Sequence, residues 1–416
     1  MPPKKSSRPE GLPEIHEMKS RHPKRPPNVQ GRTLYYIQDT SESGMTRALQ
    51  TEVDVPIIYG TEQAALDYGY FPLQEGDYLF SRPTGGDRGG GDDVLVVAVF
   101  DKARLDKKDV AALDDAMRNI LGPSPSLDFS SETGTAFERG KPSKVGEARC
   151  YTITSSHEMT RGLTAPCADG RSDKKDDDVL DMRQELARVV NKIALTNMNA
   201  APEEIMKFLQ MNAELANLPS CGVSGNVAFS SGQINFAPAK RLGYVGSTTS
   251  LGQFGEKHCD KGDFAGSYTH ITTFMTEGAQ DTGRFFLSYP GVYIPTSKYS
   301  SFVFSGLRHH GSSPALAPAQ TSDAKLKKIA RINLVSYLKK RCADSDQRFG
   351  LCSIPGGKKG KSVEMFCLPP EFGPEVTTPV AACSHATYAR DGHVIMDPKS
   401  LTEFIARCTL SFALGM

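Results

Sequence analysis

The sequence has no apolar run near the roughly 18–20 residues needed to cross a bilayer, so no membrane-spanning helix is expected. Its start, Met1-Pro-Pro-Lys-Lys-Ser-Ser-Arg, lacks the apolar stretch of a secretory leader, so export is not expected either. The nine cysteines include no Cys-x-x-Cys pair, and an odd number cannot all pair internally. That fits a reducing compartment, cytosol or nucleus, better than a disulfide scaffold. The Gly-rich stretch 83–93 lacks the Gly-Lys-Ser/Thr ending of a phosphate loop, which argues against a nucleotide site there. The formal net charge is only +1, so global charge carries no nucleic-acid signal. No internal repeat is present.

What is present is uneven. Of 416 residues, 38% are hydrophobic, with 38 Gly and 27 Pro, which favours a β-rich, loop-rich fold over a helical bundle. Positive charge is clustered. Residues 1–34 carry eight Lys/Arg against three Glu, and residues 323–362 carry eleven against three Asp. Such clusters are the footprint of a phosphate-binding surface, and the second flanks the candidate site described below. Residues 1–32 are Pro-rich and basic with little apolar periodicity, and read as a disordered or loosely docked arm.

Val94–Phe100 reads as a buried strand, Lys107–Ile120 as an amphipathic helix stopped at Gly122-Pro123, and Val179–Met198 and Pro202–Leu218 as two more helices. After Gly222 short β-type runs alternate with Gly, Ser and Pro: Asn226–Phe229, Ile234–Phe236, His270–Phe274, Phe285–Leu287, Val292–Ile294, Ser301–Phe304 and Ile332–Leu338. Many short strands at close spacing suggest a sandwich or jelly roll. The expected class is α+β. A double-stranded β-helix (jelly-roll) core over 221–416, with a basic loop at 346–362, is braced by helices of a mixed α/β portion at 33–220.

The chemistry centres on His258-Cys259-Asp260 and on His310 about fifty residues later. Two imidazoles and one carboxylate occupy one face of an octahedral ion and leave the other open, which suits non-haem Fe(II). On an extended strand residues i and i+2 share a side, so His258 and Asp260 could reach one ion. Arg331 opens the run Arg-Ile-Asn-Leu-Val-Ser-Tyr-Leu-Lys, which reads as a strand. A guanidinium projecting from it matches the fork of a dicarboxylate co-substrate such as 2-oxoglutarate, where Lys would not. His309 adjoins His310, but adjacent strand residues face opposite ways, so only one of them can face the metal.

Residues 220–345 resemble the ten-eleven translocation/J-binding protein family of Fe(II)/2-oxoglutarate dioxygenases, which oxidise methylated bases in nucleic acid. The resemblance rests on His310-Gly-Ser-Ser-Pro and on Arg331-Ile-Asn-Leu-Val. It selects His310 over His309. It implies His258, Asp260 and His310 as Fe(II) ligands and Arg331 as the 2-oxoglutarate clamp. It also implies Tyr337 as the ring stacking on a flipped base, and Asp263 as a base contact. The family usually has a cytosine-contacting His eight residues after the Arg; here that position is Lys339. The expected substrate is therefore 5-methylcytosine and/or N6-methyladenine in double-stranded DNA. A nuclear location and no obligate protein partner are expected. A 2-oxoglutarate hydroxylase of a protein or small molecule would share the iron residues without needing a phosphate-binding surface.

Other constellations carry blander readings. His270, alone in a strand, is more often a core or surface residue than a ligand. Cys342, Cys352, Cys367, Cys383 and His385 match no common zinc spacing and read as small buried hydrophobes. Ser224, in Gly-Val-Ser-Gly-Asn, lacks the final Gly of a nucleophile elbow and reads as a turn.

Overall fold

The computed structural model describes residues 8–9, 11–18, 33–39, 56–58, 61–83, 93–121, 149–152, 155–158, 163–166, 177–215, 228–229, 231–244, 255–260, 263–264, 266–339, 352–355, 362–365 and 394–395. In chain order the first strands are β1 (Ile15–Glu17), β2 (Thr33–Asp39), β3 (Phe71–Pro72), β4 (Asp77–Pro83), β5 (Val94–Phe100), β6 (Arg149–Thr152), β7 (Ser155–Glu158) and β8 (Leu163–Pro166). They continue as β9 (Ser231–Pro238), β10 (Lys240–Arg241), β11 (Thr269–Met275), β12 (Arg284–Leu287), β13 (Val292–Pro295), β14 (Ser301–Phe304), β15 (His310–Ser312), β16 (Leu316–Ala317) and β17 (Ala330–Tyr337). The helices are α1 (Glu62–Asp67), α2 (Lys107–Leu121), α3 (Asp177–Met198), α4 (Glu203–Leu215) and α5 (Asp323–Leu326). A small separate sheet joins β18 (Cys352–Pro355), β19 (Ser362–Met365) and β20 (Val394–Ile395).

The fold is mixed α/β, built on a nine-stranded sheet ordered β1-β2-β4-β5-β14-β11-β17-β9-β6. Alternation along its strands decides what each face meets. On β17, Ile332 and Leu334 turn to the helices and share a cluster with Met117 and Ile120 of α2 and Val190 and Ile193 of α3. Val335, on the other face, packs with Ile271, Phe302 and Phe304 against Phe285, Leu287, Val292 and Ile294 of a second sheet. That second sheet is four-stranded, ordered β15-β12-β13-β3. The layers are thus helices, large sheet, small sheet, and the site lies between the two sheets.

Each expected helix is present within a few residues of its reading. α2 buries Leu113, Ala116, Met117 and Ile120, the i, i+3, i+4, i+7 stripe of an amphipathic helix. Asp106 precedes it and accepts from Lys108 N at 2.9 Å, satisfying one free N–H of the first turn. Lys192 of α3 reaches Asp109 of α2 at 2.5 Å, tying the two helices together.

Two expectations change. The arm expected over 1–32 is not wholly loose. Ile15–Glu17 pairs with Tyr35–Ile37 of β2, because this short alternating segment can satisfy its backbone groups on a sheet edge. The portion 33–220 does not merely pack on a separate core either. β5 pairs antiparallel with β14, and β3 pairs parallel with β13, so both sheets are continuous across residue 220. The runs around Ile234, His270, Phe285, Val292, Phe302 and Ile332 are strands as expected; Ala228 and Phe229 lie in no strand.

Candidate metal centre

His258 and His310 face each other as an isolated antiparallel bridge. His258 N donates to His310 O and His310 N to His258 O, both at 2.9 Å. This places both rings on one side, with centroids 4.3 Å apart. Each Nδ1 lies 2.7 Å from a carbonyl oxygen, that of Glu256 for His258 and that of Arg308 for His310. A carbonyl only accepts, so each Nδ1 carries the hydrogen and each Nε2 keeps its lone pair. Those lone pairs converge on one carboxylate: His258 Nε2 is 3.6 Å from Asp260 Oδ1, and His310 Nε2 is 3.4 Å from Oδ2. The three ligand atoms lie within 4.8 Å of one another. Facial ligands on an ion with bonds of about 2.1 Å stand about 3.0 Å apart, closer than either His–Asp separation here.

The route to this arrangement differs from the strand argument. Asp260 lies outside any strand. It is held by its N–H on Gly306 O at 2.8 Å and by a turn in which Asp263 N donates to its carbonyl at 2.9 Å. Gly311 shows why glycine follows His310: a Cβ there would lie 2.9 Å from Glu256 O and 3.0 Å from Gly255 O. Its absence lets the 255–258 segment lie close against β15. Around His310, Phe285 stacks at 5.5 Å and Phe304 meets it edge-on at 4.9 Å, fixing the ring's orientation.

Burial, and His310 alongside, push His258 down to about 4. Burial also pulls on His310, but its hydrogen bond to Asp260 and that residue's charge carry it above the usual imidazole range. Asp260 is buried too, yet the His310 contact holds it below the ordinary carboxylate range. When His310 is protonated its Nε2 carries a hydrogen too, and the pair is an imidazolium–carboxylate contact. Because the His310 pKa is raised, its contribution to stability is present below the unfolded histidine value and is lost as pH rises through the folded one. A metal ion must displace that proton. Apparent metal affinity should rise by up to about tenfold per pH unit on the acid side of the His310 pKa and then level off. Anaerobic Fe(II) titrations between pH 6 and 8 test this, and a flat profile would exclude His310 as a ligand.

The cluster opens on a cavity of about 470 Å³ between the sheets, lined among others by Asp263, Thr269, Ile271, Tyr337 and Lys339. Asp263 is buried, and burial first, then the Asp260 charge, push it up to about 7 against the opposing Thr269 and Lys339. Lys339 is the antiparallel bridge partner of Asp263. Three carboxamides on the wall, Gln233, Asn235 and Asn333, were not singled out from the sequence. Asn333 stands opposite Asn235, and Gln233 Nε2 donates to Asn235 Oδ1 at 2.7 Å. The available signal was the alternation Gln-Ile-Asn-Phe over 233–236, with polar residues on one face of a strand whose other face is core.

Arg331 projects from the same face of β17 as Asn333, Val335 and Tyr337, but the cavity stops short of it. It is 2% exposed, and Nη1 donates to Ser313 O at 2.7 Å. Its Nε has no partner, and no carboxylate among the described residues lies within ion-pair distance of it. Burial pulls its pKa down to about 10 despite the pull of Asp281 in the other direction. A buried guanidinium without a counter-charge is costly, and a carboxylate ligand would relieve that cost. Gly283 makes room for it, since a Cβ there would sit 2.8 Å from Arg331 Nη1.

The solved structures provide a comparison. The chain is similar to 2-oxoglutarate–Fe(II) oxygenases of known structure. One is a TET protein, NgTET1, solved with 5mC DNA, at 11% identity and a TM-score of 0.41, covering 67% of this chain and 85% of that one. Another is a 2OG-Fe(II) oxygenase-family oxidoreductase from Burkholderia pseudomallei, at 12% identity and a TM-score of 0.30, covering 59% and 84%. A third is the dioxygenase for auxin oxidation of rice, at 11% identity and a TM-score of 0.30, covering 58% and 73%. No family model matches the sequence, and no curated protein matches it.

The remaining expectations divide. His309 is not in the cluster. His270 is fully buried on the helix side of β11, 3.2 Å from Asn197 of α3 and stacked on Phe100. The second basic cluster reaches the site only in part: Lys339 lines the cavity. Lys325, Lys327 and Lys328 are exposed around α5, at the opposite end of β17 from Lys339. The nine steps from Ala330 to Lys339, at about 3.3 Å each, span roughly 30 Å. The 346–362 loop, apart from short strand backbones, lies outside the described residues, as do Ser224, Cys342, Cys367, Cys383 and His385; of Cys352 only the backbone is described.

Proposed function

We propose that this chain is an Fe(II)- and 2-oxoglutarate-dependent dioxygenase that oxidises methylated bases in DNA, 5-methylcytosine and/or N6-methyladenine, after flipping them from the duplex. The observation that carries the reading is the meeting of two Nε2 lone pairs and one carboxylate on a cavity wall, with a buried guanidinium lacking a counter-charge on the strand that lines it. The donor set fits both groups. His258, Asp260 and His310 would hold Fe(II) on one face. Arg331 would take the distal carboxylate of 2-oxoglutarate, and the Asn333 amide lies beside that path on the same strand face. Bound together, Fe(II) and 2-oxoglutarate supply the O2 activation that hydroxylates an unactivated C–H bond.

The chain's own residues do the rest. Phe285, Phe304 and Ile271 line the cavity with apolar surface and exclude water from the metal side. Tyr337 offers a ring to stack on an extruded base. Asp263 and Lys339 offer a carboxylate and an ammonium to its polar edge. The two facing sheets are read as a double-stranded β-helix, and a DNA substrate implies a nuclear location. One observation favours the rival, a hydroxylase of a protein or small molecule: Lys325, Lys327 and Lys328 of the second cluster sit at the end of β17 opposite the cavity-lining Lys339. Nucleoside mass spectrometry on duplexes carrying each methylated base, with succinate measured in parallel, separates the two. Succinate without an oxidised base would favour the rival.

A further inference from the structure

Asp263 is held from two sides by residues the proposed reaction does not otherwise use. Thr269, at the start of β11, donates its hydroxyl to Asp263 Oδ2 at 2.5 Å. Gly306 faces the same oxygen: a Cβ there would lie 2.1 Å from Oδ2, 3.0 Å from Cγ and 3.1 Å from Thr269 Oγ1. Gly306 is not among the residues with positive φ, so its glycine serves space rather than backbone conformation. Its carbonyl also accepts from Asp260 N at 2.8 Å, so one peptide backs both the metal-side carboxylate and the cavity carboxylate. Both Asp263 and Thr269 line the cavity, and the Thr269 hydroxyl engages only the Oδ2 oxygen of Asp263.

We propose that Thr269 and Gly306 are positioning residues for substrate. Thr269 ties one oxygen of Asp263, and Gly306 leaves the space that oxygen fills. Together they present the other oxygen to a hydrogen-bond donor on the substrate. This rests on the base-oxidation reading, in which that donor is the amino group of the flipped base. Losing the hydroxyl frees the carboxylate to rotate. Adding a methyl at 306 drives it out of place.

Double-mutant cycles on binding of a methylated duplex, measured without iron or turnover, test it. Thr269→Val should weaken binding about tenfold, the scale of one hydrogen bond to a charged group, and Thr269→Ser should restore it. In the Asp263→Ala background Thr269→Val should have no further effect, because it acts through that carboxylate. Gly306→Ala gives a second route, read by thermal melting. It should destabilise the wild-type background and be tolerated with Asp263→Ala, where the clashing oxygens are gone. Additive effects in both cycles, with wild type binding the duplex, would overturn the positioning role and leave the base-oxidation reading standing. Wild type that does not bind methylated duplex at all would remove that reading, and this proposal with it.

Discussion

His310→Ala is expected to abolish turnover and to weaken Fe(II) binding by more than about a hundredfold, since loss of a ligand's hydrogen-bond partner alone costs 10–100-fold. The side chain is 4% exposed and held in place by the Arg308 carbonyl, Phe285 and Phe304. Its removal leaves an apolar hole beside a two-ligand remnant that water cannot complete without disturbing those rings. His309→Ala, one residue away, should keep most of both activities because His309 stands outside the cluster. The pair is read by anaerobic Fe(II) titration and by succinate release. An active His310→Ala beside a dead His309→Ala would reverse the ligand assignment.

Arg331→Lys should raise the apparent KM for 2-oxoglutarate tenfold or more, at an order-of-magnitude level, while leaving metal affinity nearly unchanged. Lys keeps a charge but loses the planar fork, and its ammonium is more expensive to bury than a guanidinium. The site offers it little in return: of the described groups, the Ser313 carbonyl is the hydrogen-bond acceptor Arg331 uses, and the nearest acid, Asp281, is already paired with Arg284 at 2.7 Å. Steady-state kinetics at saturating iron decide the matter. An unchanged oxoglutarate dependence would place the clamp on another residue.

The motif after His310 shows how much of this site could be read before any coordinates. His310-Gly-Ser-Ser-Pro was matched as a block. In space the three residues after His310 each have a physical task. Gly311 admits the neighbouring backbone, Ser312 lines the cavity, and Ser313 accepts at its carbonyl from Arg331 and at its hydroxyl from Arg284 N. By contrast, Gln233 and Asn235 were not singled out from the sequence. They matter only because β9 pairs with β17 in a register that sets Asn235 opposite Asn333. No local pattern encodes that register.

The sequence by itself determined the helices and most strands, because burial of one face imposes a period that neighbouring residues must obey. It also pointed to His258, Asp260 and His310, which the structure brings together, and to Arg331, with His310 chosen over His309 by the family resemblance. Tertiary structure decided what depends on distant partners. The pairing of β5 with β14 merges the chain's two halves into one sheet. The bridge between His258 and His310, not a shared strand with Asp260, brings the ligands together. Burial leaves Arg331 without a counter-charge, and strand length separates Lys325, Lys327 and Lys328 from Lys339. Each of these is a contact between segments far apart in the chain, whose energy comes from fit between surfaces rather than from the order of residues along either one.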